Sequence, residues 1–147
     1  MNDWNKVYFS YQKYGCLIEQ FARLIKSIHL LQEIPCDVIY AIPRGGLPVA
    51  THISHSLDLE IITELPAFYT KFPFRHILVV DDIIDTGRVM SSEIKPMDTF
   101  KIRYTTASLF YKPRSVYKPD IYTIKAKNDD WIVFPWEEKD ETPNRIV

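Results

Sequence analysis

The run Ile77-Leu78-Val79-Val80-Asp81-Asp82-Ile83-Ile84-Asp85-Thr86-Gly87-Arg88 constrains this chain more than any other stretch. Its first four residues are apolar and three of them are β-branched, the mark of a buried strand. Asp81 and Asp82 follow as the expected end of that strand. A third carboxylate, Asp85, opens Asp85-Thr86-Gly87 just ahead of a helical segment. Backbone N–H groups at the start of a helix make a ready anion site. Few chemistries need carboxylates beside a phosphate cradle, and the handling of a phosphorylated sugar is one.

The remainder of the chain supplies the frame for such a corner. Tyr14, Leu17, Ile18, Phe21, Leu24, Ile25, Ile28 and Leu31 recur at helical spacing, so a helix is expected over 11–32. Ser10 is its expected cap, and Pro35 lies just past its end. Asp37 to Ile42 reads as a first central strand, broken by Pro43-Arg44-Gly45-Gly46 and followed by a helix over 47–57. Strand, glycine turn and helix in that order open an α/β unit. Residues 59–63 read as a strand, and 65–74 as a loop rich in proline and aromatics. A helix over 89–95 is expected to end at Pro96. Strands are expected over 103–111 and 121–124, and Trp131 to Trp136 is too short for a helix.

The 147 residues suit a single domain over 1–147, with a core of ordinary size. Eighteen basic and nineteen acidic residues nearly cancel, which argues against nucleic acid or an anionic membrane as partner. No apolar run approaches the roughly 20 residues of a membrane span, and Met1-Asn2-Asp3-Trp4 lacks the pattern of a secretory leader. A cytoplasmic protein is expected. Cys16 and Cys36 have neither Cys-x-x-Cys spacing nor a neighbouring His, so buried thiols in a reducing compartment are expected rather than a disulfide. His52 and His55 stand three apart on a helix, but no third metal ligand accompanies them.

The motifs resemble those of a known family. Val79 to Gly87 resembles the phosphoribosyl pyrophosphate (PRPP) signature of type I phosphoribosyltransferases, and Ile42 to Leu47 resembles their pyrophosphate loop. Lys112-Pro113 and Trp131-Ile132-Val133-Phe134-Pro135-Trp136 are similar to the base-recognition elements of the xanthine–guanine and hypoxanthine–guanine branch. The resemblance covers about residues 4–137. It implies an α/β fold with a mainly parallel central sheet flanked by helices and a small C-terminal hood over about 112–137. It also implies transfer of the 5-phosphoribosyl group from PRPP to guanine, xanthine or hypoxanthine, with release of pyrophosphate. A homo-oligomer, dimer or tetramer, is implied as well.

Carried onto this sequence, the resemblance assigns Asp81 and Asp82 to the ribose hydroxyls and to Mg²⁺, in part through water. Asp85, Thr86, Gly87, Arg88 and Val89 would cradle the 5′-phosphate. Arg44, Gly45 and Gly46 would hold pyrophosphate, with a cis peptide at Pro43–Arg44. Asp85 would exchange a proton with N7 of the purine. Lys112 would donate to the 6-oxo group, Trp131 would cover the base, and the Ile132 carbonyl would read the 2-position. The plain alternatives are a core aromatic for Trp131 and a surface cation for Lys112; Trp136 is expected in the core.

The chain departs from the family pattern at Val89, where a threonine is usual, and at Arg88, where a small residue is common. The segment between Thr63 and His76 is short for a mobile lid, with Phe68, Tyr69 and Lys71 as its candidates. A PRPP- or nucleotide-sensing regulatory protein of the same fold is the alternative. A phosphohydrolase using Asp81 as nucleophile would need a further lysine and acidic pair, for which the sequence pattern gives no place at the sheet edge.

Overall fold

The computed structural model describes residues 5–65 and 73–137. The lid candidates Phe68, Tyr69 and Lys71, and the charged tail beyond Glu137, lie outside them. After β1 (Asn5–Tyr8), helix α1 (Tyr11–Leu31) starts at Ser10, whose Oγ accepts the Lys13 amide at 3.1 Å. Its buried stripe is Leu17, Ile18, Phe21, Ala22 and Ile25, the face that helical spacing dictates. There follow β2 (Val38–Ala41), α2 (Gly46–Leu57), β3 (Ile61–Ile62), β4 (His76–Ile84) and α3 (Arg88–Phe100). The chain continues through β5 (Arg103–Tyr111), β6 (Ile121–Lys125) and β7 (Asp130–Val133).

Five strands form one parallel sheet in the order β3-β2-β4-β5-β6. Side chains alternate between its faces, and each face has its own core. Leu78, Val80, Ile39 and Ala41 pack with the buried stripes of α1 and α2. Ile77, Val79, Val38 and Tyr40 pack with Met90, Ile94 and Met97 of α3. This is the helix-flanked parallel sheet expected from the motifs. A second, two-stranded sheet pairs β1 with β7 in parallel, Lys6 opposite Trp131 and Val7 opposite Ile132. Both ends of the described chain thus build the hood, whereas β6 joins the central sheet.

Three expectations are corrected. Both cysteines are free, but only Cys36 is buried; Cys16 lies on an exposed position of α1. Helix α3 continues through Pro96 to Phe100 rather than ending at Lys95. Pro96 cannot donate to the Ser92 carbonyl, at a cost of roughly 3 kcal/mol. The next residue, Met97, is however completely buried on the sheet, and that burial contributes about 1.5–3 kcal/mol. Strand β4 likewise does not end at the carboxylates but extends to Ile84, because β5 pairs with it as far as Ile84 opposite Tyr111. Its other neighbour, β2, stops pairing at Ala41 opposite Val80. Residues 81–84 therefore overhang β2 and leave one strand edge open at the carboxyl end of the sheet.

The chain leaves β2 outward to β3, then returns past β2 to β4 on the other side. This reversal of direction opens a crevice between the carboxyl ends of β2 and β4, the usual place for a ligand in such sheets.

Candidate functional site

The loop after β2 and the overhang of β4 meet in that crevice. The Ile42 amide donates to the Val80 carbonyl at 3.0 Å. A Cβ on Gly46 would stand 2.6 Å from the same carbonyl, and one on Gly45 would overlap the Asp82 carboxylate. Both positions need glycine because the β2 loop lies directly against β4. The Pro43–Arg44 peptide is cis, as expected. Pro43, Arg44, Gly45, Asp81, Asp82 and Val89 line one continuous crevice.

Strand alternation separates the two adjacent carboxylates. Asp81 shares the face of Val79 and lines the recess formed by Ile84, Asp85, Thr86, Gly87, Val89 and Met90. Asp82 shares the face of Val80 and lines the cleft with Lys112, Trp131, Ile132 and Glu137. Both are buried, 8% and 7% exposed. The Asp82 amide donates to Asp81 Oδ1 at 2.9 Å, and the Ile83 amide to Asp82 Oδ1 at 2.7 Å. Burial pushes Asp81 up to about 8, helped by the Asp82 charge, and burial raises Asp82 as well. Among the described residues neither carboxylate has a lysine or arginine ion-pair partner. Two desolvated carboxylates with no counter-charge fit a divalent cation or the hydroxyls of a sugar.

The residues expected to cradle a phosphate, 85–89, lie at the start of α3. Gly87 caps the helix with φ +79°, and the helix's first turn carries no acidic residue. The Arg88 amide reaches Thr86 Oγ1 at 3.4 Å, while the Arg88 and Val89 side chains are exposed. A Cβ on Gly87 would overlap Ser115 Oγ and come within 2.7 Å of the Tyr117 amide nitrogen. Gly87→Ala is therefore expected to lower unfolding stability by about 1–3 kcal/mol, read from denaturant midpoints. An unchanged midpoint would contradict the close packing of residues 115–117 on this turn.

Across the crevice lies a second cleft. Lys112 is buried, its side chain 1% exposed, and its Nζ donates to Asp85 Oδ2 at 3.1 Å. It is not a surface cation. Trp131 is half exposed at the rim of the same cleft, not a core aromatic, and Ile132 lines it beside Phe134. Trp136 does more than fill the core. It stacks on Phe134 at 4.7 Å between centroids, meets Tyr14 edge-on, and also lines the crevice beside Arg44.

Three further residues come to the site without having been singled out in the sequence. Arg114 donates through Nε to Asp85 Oδ1 at 2.9 Å, and its Nη2 contacts the same oxygen. Its only sequence signal is its position two residues past Lys112. Glu137 borders both clefts and accepts the Phe134 amide at 3.0 Å. Tyr14 Oη is buried with no hydrogen-bond partner among the described residues; burial, then the charge of Asp82, pushes this phenol up to about 12.

Known proteins are similar to this chain in sequence and in fold. The sequence pattern of the phosphoribosyl transferase domain matches residues 69–142. A xanthine-guanine phosphoribosyltransferase of Nitratidesulfovibrio vulgaris strain DP4 is 26% identical over 140 residues, covering 82% of each chain. The structure of a purine phosphoribosyltransferase from Pyrococcus horikoshii superposes with a TM-score of 0.72 at 28% identity, over 93% of this chain and 97% of that one. A xanthine-guanine-hypoxanthine phosphoribosyltransferase from Helicobacter pylori gives 0.74 at 25% identity, over 91% and 93%. Among the described residues, no helix is long and apolar enough to cross a membrane.

Proposed function

The chain belongs to the phosphoribosyl transferase domain family, and from that premise we propose that it joins a 6-oxopurine to PRPP, giving a nucleoside monophosphate and pyrophosphate. The observation that carries this reading is the meeting of two clefts at Asp82, Ile83 and Glu137. One holds carboxylates and the Arg44 loop; the other is walled by Lys112 and Trp131. A sugar diphosphate and a planar base bound side by side need that division.

In this reaction the purine N9 bonds to C1 of the ribose as the C1–O bond to pyrophosphate breaks. The sugar passes through a cation-like state, so the protein needs no nucleophile. Its tasks are alignment, exclusion of water and screening of charge. Asp81 and Asp82 bind the ribose hydroxyls and would hold Mg²⁺, which would supply positive charge beside the pyrophosphate. Arg44 and the Gly45 amide hold that pyrophosphate; Gly46 gives the turn its close approach to β4, its own amide donating to the Ile42 carbonyl. Residues 85–89 hold the 5′-phosphate by amides and the Thr86 hydroxyl, with Val89 contributing its amide alone. Asp85 takes a proton from N7 of the purine, Lys112 donates to its 6-oxo oxygen, and Trp131 covers the ring. The Ile132 carbonyl accepts from the 2-amino group of guanine, a donor that xanthine and hypoxanthine lack at that position, and each of the three bases is a candidate for the test below.

Incubation with PRPP, Mg²⁺ and each of the three bases tests the proposal, with the nucleotide product read by chromatography. Nucleotide from at least one base is the expected result. Tight PRPP binding with no product from any base would overturn it in favour of a PRPP sensor.

A further inference from the structure

Asp85 lies on the turn after β4, half in solvent, and yet its carboxylate is held on both sides. Lys112 occupies Oδ2 from the buried side. Arg114 occupies Oδ1 from the outer side with two N–H groups of one guanidinium. We propose that Arg114 is a positioning residue for phosphoribosyl transfer: it fixes the orientation in which Asp85 meets the purine. This rests on the function proposed above.

The Arg114 backbone is itself anchored. Its amide donates to Asn128 Oδ1 at 3.0 Å, in the turn that leads into hood strand β7. The next two amides bind neighbouring parts of the site, Ser115 N to the Lys112 carbonyl at 3.0 Å and Val116 N to the Thr86 carbonyl at 2.9 Å. The guanidinium is thus carried by a segment tied to the hood, the base cleft and the phosphate turn together.

Two N–H groups that converge on Oδ1 hold that oxygen in the guanidinium plane, a directional constraint that one ammonium does not supply, while Lys112 holds Oδ2. With Lys112 alone, the carboxylate keeps one tether and turns about its Cβ–Cγ bond. Proton exchange with a ring nitrogen tolerates little such freedom, because misplacement of about 1 Å can cost on the order of 100-fold in rate. The side chains of Arg114 and Asp85 are 32% and 36% exposed, against 1% for Lys112. The outer partner, not the buried one, is therefore the tether that can adjust as a base enters.

Steady-state kinetics of Arg114→Ala and Arg114→Lys, with PRPP affinity measured by calorimetry, test the assignment. Arg114→Ala is expected to lose about 10- to 100-fold in kcat, with PRPP affinity within about threefold of wild type. Arg114→Lys, which keeps charge and stem but lacks the planar fork, is expected to fall between the two. Millimolar guanidinium ion should restore part of the Arg114→Ala turnover and leave wild type unassisted, a rescue that a folding defect would not show. Wild-type kcat in Arg114→Ala, or a loss in both variants that guanidinium leaves unchanged, would overturn the inference. An inactive wild type would overturn the proposed function itself, a separate outcome.

Discussion

Asp85→Asn lowers turnover by about 10²- to 10⁴-fold, while PRPP affinity stays within about threefold. Asparagine has nearly the shape of aspartate and keeps one oxygen to accept from Lys112 or Arg114. It cannot take a proton at neutral pH. The two structural partners of Asp85 hold its carboxylate at the mouth of the Lys112–Trp131 cleft, and its own backbone opens the turn proposed to cradle the 5′-phosphate. Its side chain and its backbone can thus serve different substrates. The variant separates these duties, because it alters only the side chain. Initial rates at saturating base and PRPP, beside a calorimetric PRPP titration, read the two effects. Unimpaired turnover would remove Asp85 from proton transfer; loss of PRPP binding alone would assign it to the phosphate.

Asp81→Asn combined with Asp82→Asn abolishes measurable PRPP binding, and it also removes a pH dependence of stability. Both carboxyls bind protons more tightly folded than unfolded, since burial raises them. A group of that kind favours the folded state fully below its unfolded value, near 4. The contribution is lost as pH rises, and by pH 8, the region of the folded Asp81 value, most of it is gone. Ligand-free protein is therefore expected to melt at lower temperature at pH 8.5 than at pH 6, and the double variant should show a flatter profile. Mg²⁺ with PRPP should flatten the wild-type profile too, because bound cation replaces the proton. Binding should then release protons at pH 7, visible as a calorimetric enthalpy that varies with the buffer's ionisation heat. A wild-type melting temperature that rises from pH 6 to 8.5 would contradict the burial of this pair.

Much of the site was legible in the sequence because its signals are local. Gly45 and Gly87 announce backbone approach and a positive φ, and the Asp81–Asp82 doublet at a strand was visible from the apolar run before it. What lay hidden depended on tertiary pairing. The true end of β4 is set by β5, and the survival of α3 past Pro96 is set by the sheet face that Met97 covers. The separate faces of Asp81 and Asp82 emerge only once the strand is known to continue through them. Arg114 looked like one of many exposed cations, and only the hydrogen bond to Asn128 and the turn at Asp85 bring it inward. Tyr14 read correctly as part of a helical stripe, but its hydroxyl's burial near Asp82 depends on Trp136 from the far end of the described chain.

The proposed activity couples cleavage of PRPP to capture of a purine in one site. Its most direct test is the stoichiometry of pyrophosphate release by the wild-type protein with Mg²⁺ and PRPP, measured with and without base. One pyrophosphate per nucleoside monophosphate formed, with none above background when base is omitted, is the predicted result. Release of pyrophosphate or phosphate that proceeds equally without a base would contradict it.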